Sequence, residues 1–245
     1  MNLQRVVREA GTSQLFMNNL CICNSPEEVA QAAADYLHQK IISCVLDKGM
    51  CHVVLPGGST PAECISLLAE KDLPWEKIHW YPGDERCYPI GHIDRNDTMI
   101  KSRLFAEEGS VKENFHAIPA ELGPAHGARR YASLVESIAE FDIVVLGMGE
   151  DGHTASLFPG NAALNNMAAV VPVYGSPKSP DERISIGLDM LKYAGECIVI
   201  TTGSSKKDAL EKLTAGAVLP VGMVEPDVWF VDNAAVDDLT ISSAV

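Results

Sequence analysis

The chain has 245 residues, enough for one large α/β domain or two small ones, and 33 acidic against 19 basic side chains give it a formal net charge of −14. That field argues against nucleic acid or an anionic membrane as partner, while a small anion remains admissible wherever cations cluster locally. No apolar run approaches the roughly 18 residues of a membrane span, no signal-peptide pattern opens the chain and no linker-like tract divides it, so one soluble, cytoplasmic domain over residues 1–245 is expected.

Residues 1–12 are polar and read as a lead-in, followed by an edge strand over residues 14–23. A helix comes next. Ser25 as N-cap, Pro26 at the first helical position and Glu28 three residues after the serine form a capping box, and Val29, Ala33, Leu37, Ile41 and Val45 lie on one apolar face until Gly49 ends the helix. The seven cysteines, at 21, 23, 44, 51, 64, 87 and 197, match no zinc spacing, which predicts reduced, mostly buried thiols and no metal centre.

Residues 51–63, CHVVLPGGSTPAE, read as a short strand, a glycine turn and a helix start carried by Thr60, Pro61 and Glu63. Free backbone N–H groups, the helix dipole and the hydroxyls of Ser59 and Thr60 after Gly57 and Gly58 make this a candidate phosphate site. It is neither a Walker A loop nor G-x-G-x-x-G, which argues against a nucleotide. A strand at residues 78–81 ends in GDER, placing Asp84 and Arg86 at its exit. His92, Asp94, Arg95 and Asn96 lead into a helix to residue 105, residues 115–118 form a minor strand, and an amphipathic helix spans residues 125–139.

Residues 142–160, DIVVLGMGEDGHTASLFPG, are the centre of the pattern. An apolar, β-branched run predicts a buried strand, and Asp151 and His153 follow just beyond its carboxyl end, where open parallel sheets form their ligand crevice. Further strands are expected at residues 170–173, 184–187, 197–202 and 228–231. The loop GSPKSPDER delivers Arg183 to the second of these, and GSSKKDAL places Lys206 in a second glycine turn that enters a helix. Asp232, Asn233 and Ala234 cap the C-terminal segment. Alternating strands and helices predict an α/β fold with a doubly wound, mostly parallel sheet flanked by helices, Rossmann-like.

The segments LPGGSTP, GDER with the following Arg95 and Asn96, GMGEDGHTASLFPG, SPKSPDERISIGLDML and TGSSKKDAL occur in this order over residues 20–235. In that order they resemble the 6-phosphogluconolactonases of the glucosamine-6-phosphate isomerase/6-phosphogluconolactonase superfamily. One departure is Cys87 and Tyr88 before Pro89, where a valine commonly precedes the proline; it is expected to alter the pocket lining and not the reaction. The resemblance implies hydrolysis of 6-phospho-D-glucono-1,5-lactone to 6-phospho-D-gluconate, the second step of the pentose phosphate pathway, on a sugar-phosphate isomerase type of fold, without a cofactor. His153 is then the base that activates water, oriented by Asp151. Arg183, Lys206 and the turn Gly57, Gly58, Ser59 and Thr60 form the expected phosphate set, Asp84 belongs to the substrate site, and Arg86 serves either the phosphate or the developing oxyanion. No G-x-S-x-G elbow supplies a serine nucleophile, and no H-E-x-x-H pattern supplies a metal site.

Two alternatives stand beside this reading. One is an isomerase or deaminase of the same superfamily, a branch that uses a glutamate five residues beyond the histidine, where this chain has Phe158. The other is a non-catalytic phosphosugar-binding module.

Overall fold

In the computed structural model, which describes residues 19–105 and 112–237, the predicted edge strand is β1 (Leu20–Cys23) and the first helix is α1 (Pro26–Lys48). Residues 1–18, including the start of the predicted strand, lie outside the described residues. The Ser25 hydroxyl accepts from the Glu28 N–H at 3.3 Å. Glu28 does not complete the expected capping box on Ser25: its Oε2 accepts from the backbone and side-chain nitrogens of Asn24 at 3.0 and 2.8 Å, sealing the turn one residue upstream. Gly49, at φ 84°, ends α1 in the left-handed conformation open to glycine.

The other strands are β2 (Cys51–Leu55), β3 (Ile78–Pro82), β4 (Asp84–Arg86), β5 (Ile143–Gly147), β6 (Val170–Val173), β7 (Arg183–Ile186), β8 (Glu196–Thr201) and β9 (Val228–Asp232). Six of them form one sheet in the order β1-β9-β8-β5-β2-β3, and every pairing in it is parallel. Side chains alternate between its faces. Ile143, Val145, Ile198, Ile200 and Phe230 pack with Leu37, Ile41, Ile65 and Trp80 on one side. Val144, Leu146, Val199, Trp229 and Val231 pack with Tyr131, Val135 and Leu210 on the other. Because both faces are buried, the strands read as continuous apolar runs and not as alternating ones.

Helices α1, α2 (Ser59–Ala69) and α3 (Asn96–Leu104) cover the first face; α4 (Pro124–Val135), α5 (Leu188–Lys192), α6 (Lys207–Thr214), α7 (Pro220–Met223) and α8 (Asn233–Val236) contribute to the second. The α4 helix is shorter than the expected 125–139. The chain runs outward from β2 to β3 on one side and from β5 through β8 to β9 on the other. The winding therefore reverses between β2 and β5, which opens a crevice beyond their carboxyl ends.

Three strands depart from the sequence reading. β4, β7 and β6 form a separate antiparallel sheet. β6 and β7 are joined by residues 174–182, too short for the dozen or more residues of a parallel crossover, so they can pair only antiparallel. GDER is thus not a free turn: Asp84–Arg86 is a strand, and Asp84 pairs with Ser185. The expected strand at residues 115–118 reduces to one bridge between Trp80 and Phe115.

β4 also carries charge into the interior. Glu85, fully buried, accepts from the backbone N–H groups of Arg86, Asn96 and Asp97, each at 2.8 Å. Arg95, 2% exposed, donates to both carboxylate oxygens of Asp97 at 2.8 and 3.2 Å, to Glu121, and to the carbonyls of Tyr88 and Ile118. Burial pushes Glu85 up to about 7. Burial would raise Asp97 as well, but the Arg95 guanidinium outweighs it and holds that carboxyl below the usual range. Removing the guanidinium would leave buried carboxylates uncompensated. Arg95→Met is therefore expected to cost roughly 3–5 kcal/mol of unfolding free energy in urea denaturation, whereas an exposed control such as Arg130→Met should cost under about 0.5 kcal/mol.

Candidate active site

The crevice predicted by the reversal of winding is a cleft of about 430 Å³ lined by Gly57, Gly58, Asp84, Arg86, Asn96, Gly149, His153, Lys178, Arg183 and Lys206, among others. Its floor is the turn after β5. Gly149 N–H donates to the His153 carbonyl at 2.9 Å and Gly152 N–H to the Gly149 carbonyl at 3.0 Å, folding residues 149–153 back on themselves. A Cβ on Gly149 would lie 2.0 Å from the His153 ring, so only glycine lets the imidazole sit where it does.

The His153 Nδ1 is 2.5 Å from Asp151 Oδ1. Asp151 stands behind the ring and outside the cleft lining, so with Nδ1 engaged the Nε2 lone pair is the one left for chemistry. Burial lowers the pKa of His153, Lys178 adds to the depression, and Asp151 and Asp84 oppose it; the net direction is down from 6.5. The imidazole is thus neutral at neutral pH, the state a general base requires. Phe158 packs against it at 4.4 Å between ring centroids and is itself buried.

Asp84 is held on both sides: Asn96 Nδ2 donates to Oδ1 at 3.0 Å and Ser156 Oγ to Oδ2 at 2.5 Å. Arg86 donates through Nη1 to the Asp94 carbonyl at 2.8 Å, and its Nε is buried with no hydrogen-bond partner. Arg183 donates from Nε and Nη2 to three carbonyls of its own loop and lies over the Phe158 ring. The Lys206 ammonium makes no hydrogen bond or ion pair among the described residues. Burial and Lys178 lower its pKa, against the opposing pull of Glu150 and Asp151.

The glycine turn differs in part from the sequence expectation. Gly57 and Gly58 form cleft wall, and a Cβ on Gly57 would overlap the Asn96 amide at 2.1 Å. Ser59 and Thr60 do not line the cleft. The helix begins at Ser59 with Gly58 as its N-cap, two residues earlier than the Thr60-Pro61 pattern suggested, and the Thr60 hydroxyl bonds Thr202 Oγ1 at 2.7 Å instead of facing a ligand. Lys206 closes a 3-10 turn, Ser204–Lys206, that enters the helix α6, where the sequence placed it.

The sequence reading missed Lys178 and Ser156 as parts of the site and gave Asn96 no role. Lys178 lies within the proline-rich loop, and its only signal was a cation beside Arg183. Of the departing Cys87-Tyr88 pair, Tyr88 lines the cleft and stacks on His92 at 4.1 Å between ring centroids, and Cys87 is not among the lining residues. Of the cysteines only Cys51, Cys64 and Cys197 are buried; the other four are partly exposed, and none forms a disulfide. Folding also gathers Cys44, Cys51 and Asp142 to within 4.8 Å of one another, which their spacing did not reveal. There Asp142 already accepts from Lys48 Nζ at 2.6 Å and the His52 N–H at 2.8 Å.

Fold and cleft together define an α/β protein whose sheet-end crevice combines a neutral, carboxylate-backed imidazole with a cluster of cations. A model of the family described as glucosamine-6-phosphate isomerases/6-phosphogluconolactonase matches residues 24–231, and the chain belongs to that family. It is 31% identical over 234 residues to a 6-phosphogluconolactonase of Nostoc sp., covering 88% of this chain and 97% of that protein. It is 30% identical to the 6-phosphogluconolactonase of Rattus norvegicus over 91% of this chain and 94% of the rat protein. The crystal structure of 6-phosphogluconolactonase from Thermotoga maritima superposes with a TM-score of 0.81 at 26% identity, covering 87% of this chain and 99% of that one. Among the described residues no helix is long and apolar enough to cross a membrane.

The geometry makes the His153 titration a direct check. Its imidazole should titrate below 6.5 in NMR spectra of the free protein. Asp151→Asn removes the negative charge that raises the pKa while keeping an oxygen that can accept from Nδ1–H, so the midpoint should fall further; a rise would mean that the Asp151 charge does not act on the ring.

Proposed function

We propose that the chain is a 6-phosphogluconolactonase, hydrolysing 6-phospho-D-glucono-1,5-lactone to 6-phospho-D-gluconate in the pentose phosphate pathway. The observation that carries this reading is the Asp151–His153 pair at the floor of a cation-lined cleft. His153 Nε2 takes a proton from water as the water oxygen attacks the lactone carbonyl, and negative charge develops on the carbonyl oxygen. Arg86, with a buried Nε that lacks a partner, is the donor best suited to that oxygen. Collapse of the tetrahedral intermediate breaks the bond between the carbonyl carbon and the ring oxygen. The imidazolium, stabilised by Asp151, returns its proton to the departing ring oxygen, and the product ionises to a carboxylate. The 6-phosphate rests with Lys206 and the Gly57-Gly58 wall.

Phe158 favours the lactonase over the isomerase or deaminase side of the family. A buried phenyl ring against His153 can neither take nor give a proton, whereas aldose–ketose chemistry needs a second acid-base group there.

His153→Ala should lower turnover by about 10² to 10⁴ while leaving affinity for 6-phosphogluconate within a few fold. The assay uses freshly prepared lactone, a dehydrogenase-coupled readout and subtraction of spontaneous hydrolysis. Near-normal turnover in the folded variant would remove the imidazole from the mechanism, and a wild type inactive on the lactone while binding its product would favour the non-catalytic module. Because an imidazole activates the water, exhaustive chelation should leave the rate unchanged; loss restored by one divalent ion would assign the activation to a metal.

A further inference from the structure

The strands that open the catalytic cleft at their carboxyl ends, β2 and β5, also gather side chains at their amino ends. The left-handed cap at Gly49 turns the chain back after α1, so that Cys44, at the C-terminal end of the helix, meets Cys51, the first residue of β2. Asp142, immediately before β5, completes the group: the two sulfurs and a carboxylate oxygen all lie within 4.8 Å of one another. Cys51 and Asp142 are buried and Cys44 is half-buried.

A thiol kept only as a small apolar group turns its sulfur toward carbon. The Cys44 sulfur instead lies in hydrogen-bonding contact with the Cys51 thiol and the Asp142 carboxylate, and 3.5 Å from the Met50 carbonyl. The hydrogens between these atoms occupy the place a cation would take. Around a tetrahedral ion with bonds of about 2.3 Å to sulfur and about 2.0–2.2 Å to oxygen, donors stand roughly 3.5–3.8 Å apart, so closing on it asks for a contraction of about 1 Å.

The carboxylate is already aimed. Its Oδ2 accepts from the His52 N–H at 2.8 Å, an anchor that orients the group and leaves Oδ1 to a second partner. That partner is Lys48 at 2.6 Å, but the lysine side chain is 45% exposed and its ammonium also stands 3.4 Å from Glu140, so it can yield Oδ1 without losing its ion pairing. Access is open as well. A second cavity, of about 490 Å³ and lined by Lys48, His52, Glu140 and Asp142 among others, lies at this end of the sheet and has room for a water as fourth ligand. Two sulfur donors in three select thiophilic ions over magnesium or calcium.

We propose that Cys44, Cys51 and Asp142 form a binding site for a thiophilic divalent cation of the zinc class, which clips the end of α1 to the starts of β2 and β5. Binding is an exchange without redox change: both thiol protons leave to solvent, two metal–sulfur bonds and one metal–oxygen bond form, and Lys48 keeps its proton and moves to Glu140. The site is at the opposite end of the sheet from His153, so it serves the fold and takes no part in the activation of water.

The test uses the full chain, kept reduced with a phosphine and titrated with cobalt(II), then zinc(II). One cobalt per chain should bind with sulfur-to-cobalt charge-transfer absorption, and zinc should displace it. Zinc at about a hundredfold excess over its Kd should raise the thermal midpoint by about 5–10 °C, since an ion that binds only the folded chain stabilises it by mass action; magnesium should leave the midpoint where it is. Cys44→Ala and Cys51→Ala should each abolish the absorption and the shift. Lys48→Met removes the competitor for Oδ1 and should tighten binding about twofold to fivefold. Wild type without the absorption would overturn the site, absorption that survives both alanine variants would assign the ion to other thiols, and an equal rise with magnesium would overturn the role of sulfur. Should Cys51→Ala fail to fold, Cys44→Ala and Lys48→Met carry the test, and unchanged or weaker binding in Lys48→Met would remove Asp142 from the ligand set.

Discussion

Burial of both faces of the six-stranded parallel sheet is the constraint from which the rest follows. With Val144 and Leu146 on one side and Ile143 and Val145 on the other, the central strand has no face left for polar chemistry. Functional groups can appear only where strands end, and the reversal of winding between β2 and β5 leaves the widest opening there. The glycines at these exits answer the same constraint. Gly57 must let the Asn96 amide approach, and Gly149 must let the His153 ring lie flat against the turn.

The second sheet solves a different problem. A parallel sheet end is open to water, and an imidazole fully in water would keep its ordinary pKa. β4, β6 and β7 wall one side of the cleft and bring Asp84, Arg86 and Arg183 to it on hydrogen-bonded backbone. The cost is charge in the interior. It is offset by Arg95, which joins Asp97, Glu121 and the carbonyls of Tyr88 and Ile118, and by the three N–H groups around Glu85. The charged wall is built to hold direction, since Asp84, Glu85, Arg95 and Arg183 each have their geometry set by several partners.

Electrostatics ties the site to the whole chain. An acidic protein repels anions at long range, and screening confines that field to about 8–10 Å at physiological salt. Within that distance the cleft has its own balance, in which Arg86, Lys178, Arg183 and Lys206 outnumber Asp84 and Asp94. Burial keeps His153 neutral and one of these cations, Lys178, adds to the effect, so part of the charge that attracts an anionic substrate also prepares the base that acts on it.

What the sequence determined by itself was whatever is encoded locally. The apolar runs, the Ser25-Pro26 helix start, the stop at Gly49 and the place of Asp151 and His153 just past the central strand were all legible, because each depends on residues within a few positions of one another. The continuous character of the runs also announced a sheet buried on both faces. Tertiary structure alone decided which strands pair. Residues 170–173 and 183–186 have the apolar look of parallel strands, yet the short link between them imposes an antiparallel ladder, which turned GDER from a turn into a wall. It likewise decided the direction of side chains whose partners are distant in sequence. The Thr60 hydroxyl goes to Thr202, the Arg183 guanidinium to carbonyls of the preceding loop, and Lys178 to a cleft whose other walls lie far from it along the chain. A hydrogen bond is satisfied by whatever acceptor the fold brings near, and a one-dimensional pattern holds no record of that proximity.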